Sequence, residues 1–281
     1  MKTTISSQQF SATINSLGAE LISLKNNSTE YIWEGNPTFW GKHSPVLFPI
    51  VGTLKNNSFT HNNKQYQLSR HGFAREMEFE VVKKSENSVS FLLVSNEKTV
   101  ANYPFDFQLL LTYTLTNNSL DVQYEVINTS EDEMFFSIGA HPAFALPNSF
   151  ENYALAFEEN ELHYNLLEND LLSNKQSVLH LNNNQLDLNY DLFKNDALVF
   201  KQLKTKSITI LEKATPFLKV HFSAFPNLGI WTKLNAPFIC IEPWFGYSDS
   251  NESSGNLSEK EAILNLVSKA TFQSNFTIEI L

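Results

Sequence analysis

The sequence is short of several features that commonly signal the class of a protein. Cys240 is its single cysteine, so an intramolecular disulfide is impossible and a cysteine-based zinc site is disfavoured. Cationic residues are few, since 20 lysines and arginines stand against 30 acidic residues and leave a net charge of −10. This balance argues against a nucleic-acid partner, because phosphate binding needs a basic face.

Segments that would target or anchor the chain are missing as well. No apolar run approaches the roughly 18 residues that cross a bilayer, and no apolar stretch follows Lys2 as it would in a signal peptide. We therefore expect a cytoplasmic protein with no membrane partner. No linker or internal repeat divides the 281 residues, so we predict a single domain over residues 1–281.

Motifs for cofactor chemistry are also absent. The chain has no G-x-S-x-G, G-x-x-x-x-G-K-[ST] or G-x-G-x-x-G motif, which argues against serine hydrolases, P-loop proteins and Rossmann folds. Its seven histidines show no His-x-His or His-x-x-x-His spacing. We predict no metal and no other cofactor. A glycosidase pair of carboxylates stays open, because acidic residues are plentiful.

A strong period-two alternation of apolar residues is present, which is typical of half-buried strands. It is clearest on both sides of Asn117 and Asn118, and asparagine tolerates the left-handed backbone of a tight hairpin. We predict an antiparallel hairpin of residues 107–116 and 119–128. The other predicted strands are 10–15, 20–25, 65–68, 77–84, 88–95, 134–139, 153–158, 207–211, 217–223, 228–233, 238–242 and 272–280.

Helical periodicity is scarce, whereas phenylalanine and β-branched residues, which suit pleated surfaces, are frequent. The best helix signal is a capping box of Ser258 and Glu261 before a short apolar run. Many short strands with Asn-rich turns and few short helices indicate an all-β fold. We predict a large sandwich or barrel of mainly antiparallel strands.

The first candidate functional segment is RHGFAR, which holds both arginines of the chain. Arg70 and Arg75 flank His71, although every other basic residue is a lysine. Arginine presents a planar fork of donors that lysine does not imitate. The segment is therefore interpreted as part of a polar ligand site or, alternatively, as a solvated turn between two strands.

The second candidate is His141, which follows an apolar segment in the motif GAHPAF. Pro142 favours an extended backbone at His141. We expect the imidazole at a strand end, near apolar neighbours that can tune its pKa. The alternative is a core histidine with satisfied hydrogen bonds.

The third candidate is Glu242, which lies within the apolar segment CIEPWFG. An unpaired carboxylate there would be costly, so Glu242 must be paired, hydrogen-bonded, protonated or solvated by a pocket. Trp244 adds a flat apolar face that suits the C–H face of a sugar ring. A structural glutamate bonded to backbone amides is the alternative.

Taken in order, these three segments resemble the aldose 1-epimerase, or galactose mutarotase, family and within it the LacX-like branch. The likeness extends over most of the chain, including residues 44–52 and 228–231. It implies a galactose mutarotase-like β-supersandwich with a cofactor-free sugar site on the concave face of a large sheet. Mutarotation opens and recloses a hemiacetal ring, which needs a general base at the anomeric hydroxyl and a general acid at the ring oxygen.

The resemblance also implies roles for individual residues. It makes Glu242 the base, His141 the acid and His71 a second sugar-binding histidine. Arg75 binds a hydroxyl or steadies Glu242, and Trp244 shapes the pocket wall. We expect the carboxylate of Glu242 and the imidazole of His141 to flank a gap about one pyranose ring wide.

Two departures from the family pattern leave the specificity open. The arginine expected near Thr53 is missing, and Lys55 and Arg75 are the candidates to replace it. The candidate for the sugar-binding aspartate is Asp196, and Asp191 competes with it.

Three functions therefore stay open. The first is a mutarotase for a free aldohexose. The second is a hexose-6-phosphate 1-epimerase, for which Arg70, Arg75, Lys42 and Lys55 could supply the cationic donors. The third is a carbohydrate-binding or regulatory protein without turnover. The expected partner is a small-molecule sugar, and we expect a monomer or a homodimer.

Overall fold

The computed structural model describes residues 1–281, of which 52% lie in strands and 8% in helical segments. The prediction of an all-β chain is therefore confirmed. The strands, in chain order, are β1 (Lys2–Ser7), β2 (Phe10–Asn15), β3 (Glu20–Asn26), β4 (Thr29–Glu30), β5 (Val46–Leu47), β6 (Ser58–His61), β7 (Lys64–Gln67), β8 (Glu80–Lys84), β9 (Ser88–Val94), β10 (Phe107–Thr116), β11 (Ser119–Asn128), β12 (Met134–Phe136), β13 (Ile138–Ala140), β14 (Ala143–Ala145), β15 (Tyr153–Ala156), β16 (Glu161–Glu168), β17 (Leu171–His180), β18 (Gln185–Asp187), β19 (Leu198–Phe200), β20 (Ser207–Glu212), β21 (Thr215–His221), β22 (Asn227–Trp231), β23 (Phe238–Phe245), β24 (Leu264–Leu266) and β25 (Thr271–Ile280).

The helical segments are short. They are one α-helix, α1 (Glu97–Asn102), and five 3₁₀ turns at Lys55–Asn57, Ala74–Glu76, Phe150–Asn152, Tyr190–Phe193 and Leu257–Glu259. None of these segments has the length and apolar character that a membrane crossing would require.

Two large sheets make up most of the fold. One has nine strands in the order β18-β15-β20-β21-β25-β11-β10-β9-β8, and the other has eight, in the order β17-β16-β19-β22-β23-β13-β5 with β14 paired to β23. A four-stranded sheet of β1 to β4 and the pairs β12-β24 and β6-β7 complete the fold. Apolar side chains from both large sheets join one cluster of 63 buried residues, which forms the core.

The hairpin predicted from the alternating pattern is confirmed. β10 and β11 pair from Phe107 opposite Asn128 to Thr116 opposite Ser119. Every second residue of β10 from Phe107 to Leu115 is buried, as period-two alternation requires. Asn117 takes a left-handed φ of 48° in the turn.

The predicted helix near Ser258 was wrong. Residues Leu257–Glu259 form only a 3₁₀ turn, which the side chain of Asn256 caps. The Glu261 carboxylate is not part of a capping box, because it accepts hydrogen bonds from Tyr247 and from Lys201.

Other elements were missed. The sequence analysis missed α1, whose six residues are too few to show helical periodicity. It also missed β1, β16 and β17, in which few of the side chains are buried and the apolar alternation is weak.

A buried ion pair fixes the segment that follows β23. The Lys260 ammonium donates to Asp249 Oδ1 at 2.9 Å and to the Tyr247 carbonyl at 2.6 Å, and both charged side chains are at most 4% exposed. Asp249 Oδ2 in turn accepts from the Lys55 amide at 2.9 Å, and the Asp249 amide donates to the Thr53 carbonyl at 2.8 Å. The pair therefore ties the segment after β5 to the segment after β23.

The buried ion pair of Lys260 and Asp249 predicts a large loss of stability when its cation is removed. Lys260→Met keeps most of the side-chain volume but leaves the Asp249 carboxylate buried without its cation. We expect the free energy of unfolding in urea to fall by about 3–5 kcal/mol. The matched control is Lys175→Met, which removes an exposed pair with Glu168 and should change the free energy of unfolding far less, because solvent screens that pair. Equal losses in the two variants would contradict the anchoring role.

Candidate active site

The strand register places His141 next to Glu242. Gly139 of β13 pairs with Trp244 of β23, and Ala143 of β14 pairs with Cys240. His141 lies midway between these two pairs and therefore opposite Glu242. Directly opposed residues of antiparallel strands project from the same face of the sheet. The two side chains accordingly meet, with His141 Nε2 at 3.3 Å from Glu242 Oε2.

The expectation of a gap one pyranose ring wide between these groups was wrong. Both residues are buried, and their side chains are in direct contact. The contact lacks the geometry of a hydrogen bond, since Glu242 Oε2 has no hydrogen-bond partner. A ligand would therefore lie beside the pair and not between its members.

The alternation along β23 divides its residues between two environments. Ile239 and Ile241 point into the main core. Cys240, Glu242 and Trp244 occupy the intervening positions and face the other side of the sheet. Cys240 and Trp244 accordingly belong to smaller apolar clusters that are separate from the main core.

Two glycines make room for the indole of Trp244. Gly229 of β22 pairs with Glu242, and Gly139 of β13 pairs with Trp244. A Cβ atom at Gly229 would lie 2.3 Å from Cη2 of the indole, and one at Gly139 would lie 2.6 Å from its Cδ1. Neither position tolerates a side chain while the ring lies across both strands.

His71 is held by the segment after β5. The Gly52 amide donates to His71 Nδ1 at 3.1 Å, so the proton of a neutral His71 resides on Nε2. The ring meets that of His141 edge-on at 5.7 Å between centroids. Arg70 Nε lies 3.2 Å from His71 Nε2. With Nε2 protonated these two nitrogens are both donors that oppose each other, and a ligand oxygen beside them could accept a hydrogen bond from both.

The two arginines occupy different positions. The guanidinium of Arg70 contacts Asp170 Oδ1 at 2.8 Å and Asp196 Oδ2 at 3.4 Å. Arg75 donates to the Arg70 carbonyl at 2.8 Å, while its buried Nε has no partner. Asp196 has a left-handed φ of 78° and accepts from the Ala197 amide. Arg70, Arg75 and Asp196 all lie in connecting segments or 3₁₀ turns and not in strands.

All seven predicted site residues line one cavity of about 480 Å³. This volume suits a small-molecule ligand. The residues that line it are Phe39, Trp40, Gly52, Arg70, His71, Arg75, His141, Leu167, Asp196, Ala197, Val199, Trp231, Lys233, Glu242, Trp244 and Ser248.

The lining of the cavity also distinguishes between the candidates for the missing arginine, for the cationic donors and for the sugar-binding aspartate. Lys55 does not line it, and its ammonium donates to the Ser253 carbonyl instead. Lys42 is paired with Glu76 at 2.8 Å, also away from the cavity. Asp191 lies in a neighbouring pocket that shares Asp196 and Ala197 with the main cavity. Of these candidates, the cavity wall contains only Arg75 and Asp196.

The sequence analysis missed the aromatic wall. Trp40 stacks on His141 with 4.7 Å between centroids and 27° between planes, and Trp231 meets the same imidazole edge-on at 5.8 Å. Trp231 was expected only as a strand residue, and no motif marks Trp40. Two indoles beside an imidazole offer the apolar faces that bind sugar C–H groups.

Burial controls the protonation of the pair. It raises the pKa of Glu242 well above its usual range, and the charge of Arg70 only partly opposes this effect. Burial, together with the charges of Arg70 and Arg75, lowers the pKa of His141 to about 3. Burial likewise lowers the pKa of His71 well below its usual value. Burial therefore favours the neutral carboxyl of Glu242 and the neutral imidazole of His141.

Several polar atoms of the cavity lack partners. Glu242 Oε2, His141 Nδ1, Arg75 Nε and Trp244 Nε1 are buried without a hydrogen bond. Buried polar atoms are normally paired, so four exceptions among residues of one cavity indicate a site built for a polar ligand. Three groups that could bind a metal, in His141, Cys240 and Glu242, also lie within 4.8 Å of one another.

The antiparallel sandwich and this site define a galactose mutarotase-like protein. The chain belongs to the aldose 1-epimerase family, whose model matches residues 1–255. It is 36% identical over 282 aligned positions to the plasmid-encoded protein LacX of Lactococcus lactis subsp. lactis, with 94% of each chain covered. Membership of this family supports an isomerase of the epimerase type.

Solved structures show the same fold. The galactose mutarotase related enzyme from Lactobacillus acidophilus is similar to this chain with a TM-score of 0.96 and 34% identity, over 100% of this chain and 97% of that one. A galactose mutarotase-like protein from Lactobacillus casei gives a TM-score of 0.91 and 31% identity, with both chains fully covered. The fold that the sequence resemblance implied is therefore confirmed.

The buried carboxyl predicts a pH-dependent cost to stability. Because the pKa of Glu242 is raised in the folded state, folded protein retains a proton that the unfolded chain releases above its ordinary value of 4.5. The stabilising effect of that proton is fully present below pH 4.5 and is lost as the pH rises toward the folded pKa. Glu242→Gln removes this dependence.

We therefore expect Glu242→Gln to gain stability relative to the wild type as the pH rises above 4.5, the ordinary pKa that the carboxyl keeps in the unfolded chain. The gain should approach about 1.4 kcal/mol per pH unit. Urea denaturation at a series of pH values measures it. The control is Glu86→Gln at an exposed position, and its free energy of unfolding should change with pH as that of the wild type does. If the free energy of unfolding of Glu242→Gln also changes with pH as the wild type does, the raised pKa of Glu242 is contradicted.

Proposed function

We propose that this chain is an aldose 1-epimerase that interconverts the α and β anomers of an aldohexose. The observation that carries the proposal is the buried contact of His141 with Glu242 in the wall of an aromatic-lined cavity. Membership of the aldose 1-epimerase family supports the same reaction. The side chains offer an acid and a base, so the proposed chemistry uses general acid–base catalysis without a cofactor.

Ring opening breaks the bond between the anomeric carbon and the ring oxygen. Glu242 takes the proton of the anomeric hydroxyl, and His141 gives a proton to the ring oxygen. Both oxygens are bonded to the same carbon, so two side chains in contact can reach them from one side. Rotation of the resulting aldehyde exposes its other face. The reverse proton transfers then close the ring as the other anomer.

The reaction needs the single proton of the pair to lie on His141 at the start. Burial by itself opposes this arrangement, because it disfavours the charged forms of both groups. Sugar hydroxyls would solvate the pair and favour the ionised arrangement of carboxylate and imidazolium. His71 and Arg75 line the same cavity, and the Arg75 Nε–H is a buried donor without a hydrogen-bond partner that these hydroxyls could satisfy.

This mechanism predicts that both members of the pair are essential. We expect Glu242→Gln and His141→Gln each to lower the catalysed rate by about 10²–10⁴-fold. The measurement is the optical rotation of fresh α-D-glucose or α-D-galactose, corrected for the rate in buffer. Exposed Glu86→Gln should keep the wild-type rate.

Two outcomes would contradict the proposal. The first is a wild-type protein that accelerates the mutarotation of no common aldose. The second is a Glu242→Gln variant with full activity. Sugar binding detected by saturation-transfer NMR, together with no acceleration of mutarotation in polarimetry, would favour the alternative of a carbohydrate-binding protein without turnover.

A hexose-6-phosphate 1-epimerase is the second candidate, because Arg70, Arg75 and Lys233 all line the cavity. A phosphate dianion needs two or more such donors. The guanidinium of Arg70 is already paired with Asp170 and Asp196, and the Lys233 ammonium donates to the Phe39 carbonyl at 2.9 Å. The free sugar is therefore the first candidate.

We accordingly expect kcat/KM for a hexose and for its 6-phosphate to agree within about tenfold, and Lys233→Met to leave their ratio unchanged. Polarimetry with each substrate alone and in competition measures the ratio. Lys175→Met, an exposed change, is the control. A preference for the 6-phosphate above tenfold that Lys233→Met abolishes would favour the second candidate.

A further inference from the structure

The proposed acid–base pair has a third chemically active neighbour. Cys240 lies two residues before Glu242 on the same face of β23. A ring nitrogen of His141, the sulfur of Cys240 and a carboxylate oxygen of Glu242 all lie within 4.8 Å of one another. No step of the proposed ring opening uses the thiol.

The geometry of this cluster approaches that of a metal site. Zn²⁺ is bound by nitrogen, sulfur and oxygen ligands at roughly 2.0–2.3 Å in a tetrahedron, which separates the ligand atoms by roughly 3.3–3.8 Å. The contact between His141 and Glu242 is already 3.3 Å. Side-chain rotations that shorten the widest separation by roughly 1 Å would complete three corners.

Two further observations point to a ligand at this cluster. Glu242 Oε2 is an acceptor without a partner on a residue that is 1% exposed, and it is the oxygen that lies 3.3 Å from His141 Nε2. His141 and Glu242 line the sugar cavity, whereas Cys240 is buried and does not line it. An ion among the three groups would therefore have its fourth position open toward the cavity.

We propose that His141, Cys240 and Glu242 form a binding site for a Zn²⁺-like divalent cation whose open coordination position faces the sugar cavity. Binding displaces the protons of the Cys240 thiol and the Glu242 carboxyl into solvent. The thiolate, the carboxylate and the dication then sum to zero net charge, which limits the cost of burying them. Mixed nitrogen, sulfur and oxygen ligands favour zinc over magnesium or calcium.

The cation would act as a switch for the proposed reaction. The cation coordinates Glu242, the proposed base, and His141, the proposed acid, at the same time. Neither side chain can then exchange a proton with the sugar. Mutarotation should therefore stop when the site is filled and return when a chelator removes the metal. This consequence depends on the proposed function, whereas the binding of the cation does not.

One competing site has to be controlled. On the β16-β17 hairpin, the carboxylate of Glu161 contacts His163 at 3.1 Å and His180 at 3.3 Å, and all three side chains are exposed. Exposed histidines bind zinc adventitiously. His180→Ala removes one of these groups without touching the cavity and gives the background in which the test is performed.

The test is a titration of the His180→Ala protein with Co²⁺, a spectroscopic substitute for Zn²⁺, followed by competition with Zn²⁺. We expect one Co²⁺ per chain with a thiolate-to-cobalt charge-transfer band. Cys240→Ala should abolish the band and weaken binding by at least about tenfold, and Cys240→Ser should do the same while it preserves the shape. Absence of the band, or equal binding by Cys240→Ala, would overturn the site.

Polarimetry completes the test. The metal-free Cys240→Ala protein should keep the wild-type rate, because the thiol takes no part in the proposed reaction, and should resist Zn²⁺ at concentrations that stop the wild type. Inhibition of both proteins alike would overturn the switch. If the metal-free wild type shows no activity, the proposed function fails, and the charge-transfer band still decides whether the metal site exists.

Discussion

The site depends on the register between β23 and the strands β13 and β14. The pairs Gly139 with Trp244 and Ala143 with Cys240 leave one position for His141, which is opposite Glu242. A shift of one residue would turn the imidazole to the other face of the sheet and separate it from the carboxylate. Proline residues follow both His141 and Glu242, and the ladder continues past them on both sides. The relative positions of His141 and Glu242 are therefore fixed by the backbone.

The surroundings of this pair combine deep burial with polar atoms that have no hydrogen-bond partner. Trp40 and Trp231 cover the imidazole, and Gly139 and Gly229 let the indole of Trp244 lie flat beside the carboxylate. The same burial raises the pKa of the Glu242 carboxyl and lowers that of the His141 imidazole. Buried groups with shifted pKa values and unmet hydrogen bonds are poorly optimised for folding, and such groups cluster at functional sites.

The sequence predicted the fold class and the hairpin because alternation is strong in the two strands concerned. It singled out six residues of the cavity wall through the three segments, and the family resemblance added Asp196. It missed the contact between His141 and Glu242 because register is a property of paired strands and is not encoded in either strand alone. Trp40 was missed for a related reason, since it lies in a segment without periodicity and reaches the site only through the packing of the chain.

The cavity wall is divided between two kinds of structure. His141, Glu242 and Trp244 are positioned by the strands of the large sheet, whereas Arg70, Asp196 and Trp40 are supplied by connecting segments. Loops change length and sequence more freely than paired strands. For directed evolution, a library confined to the connecting segments would vary the ligand preference of the cavity while the strand-held residues His141, Glu242 and Trp244 are inherited unaltered.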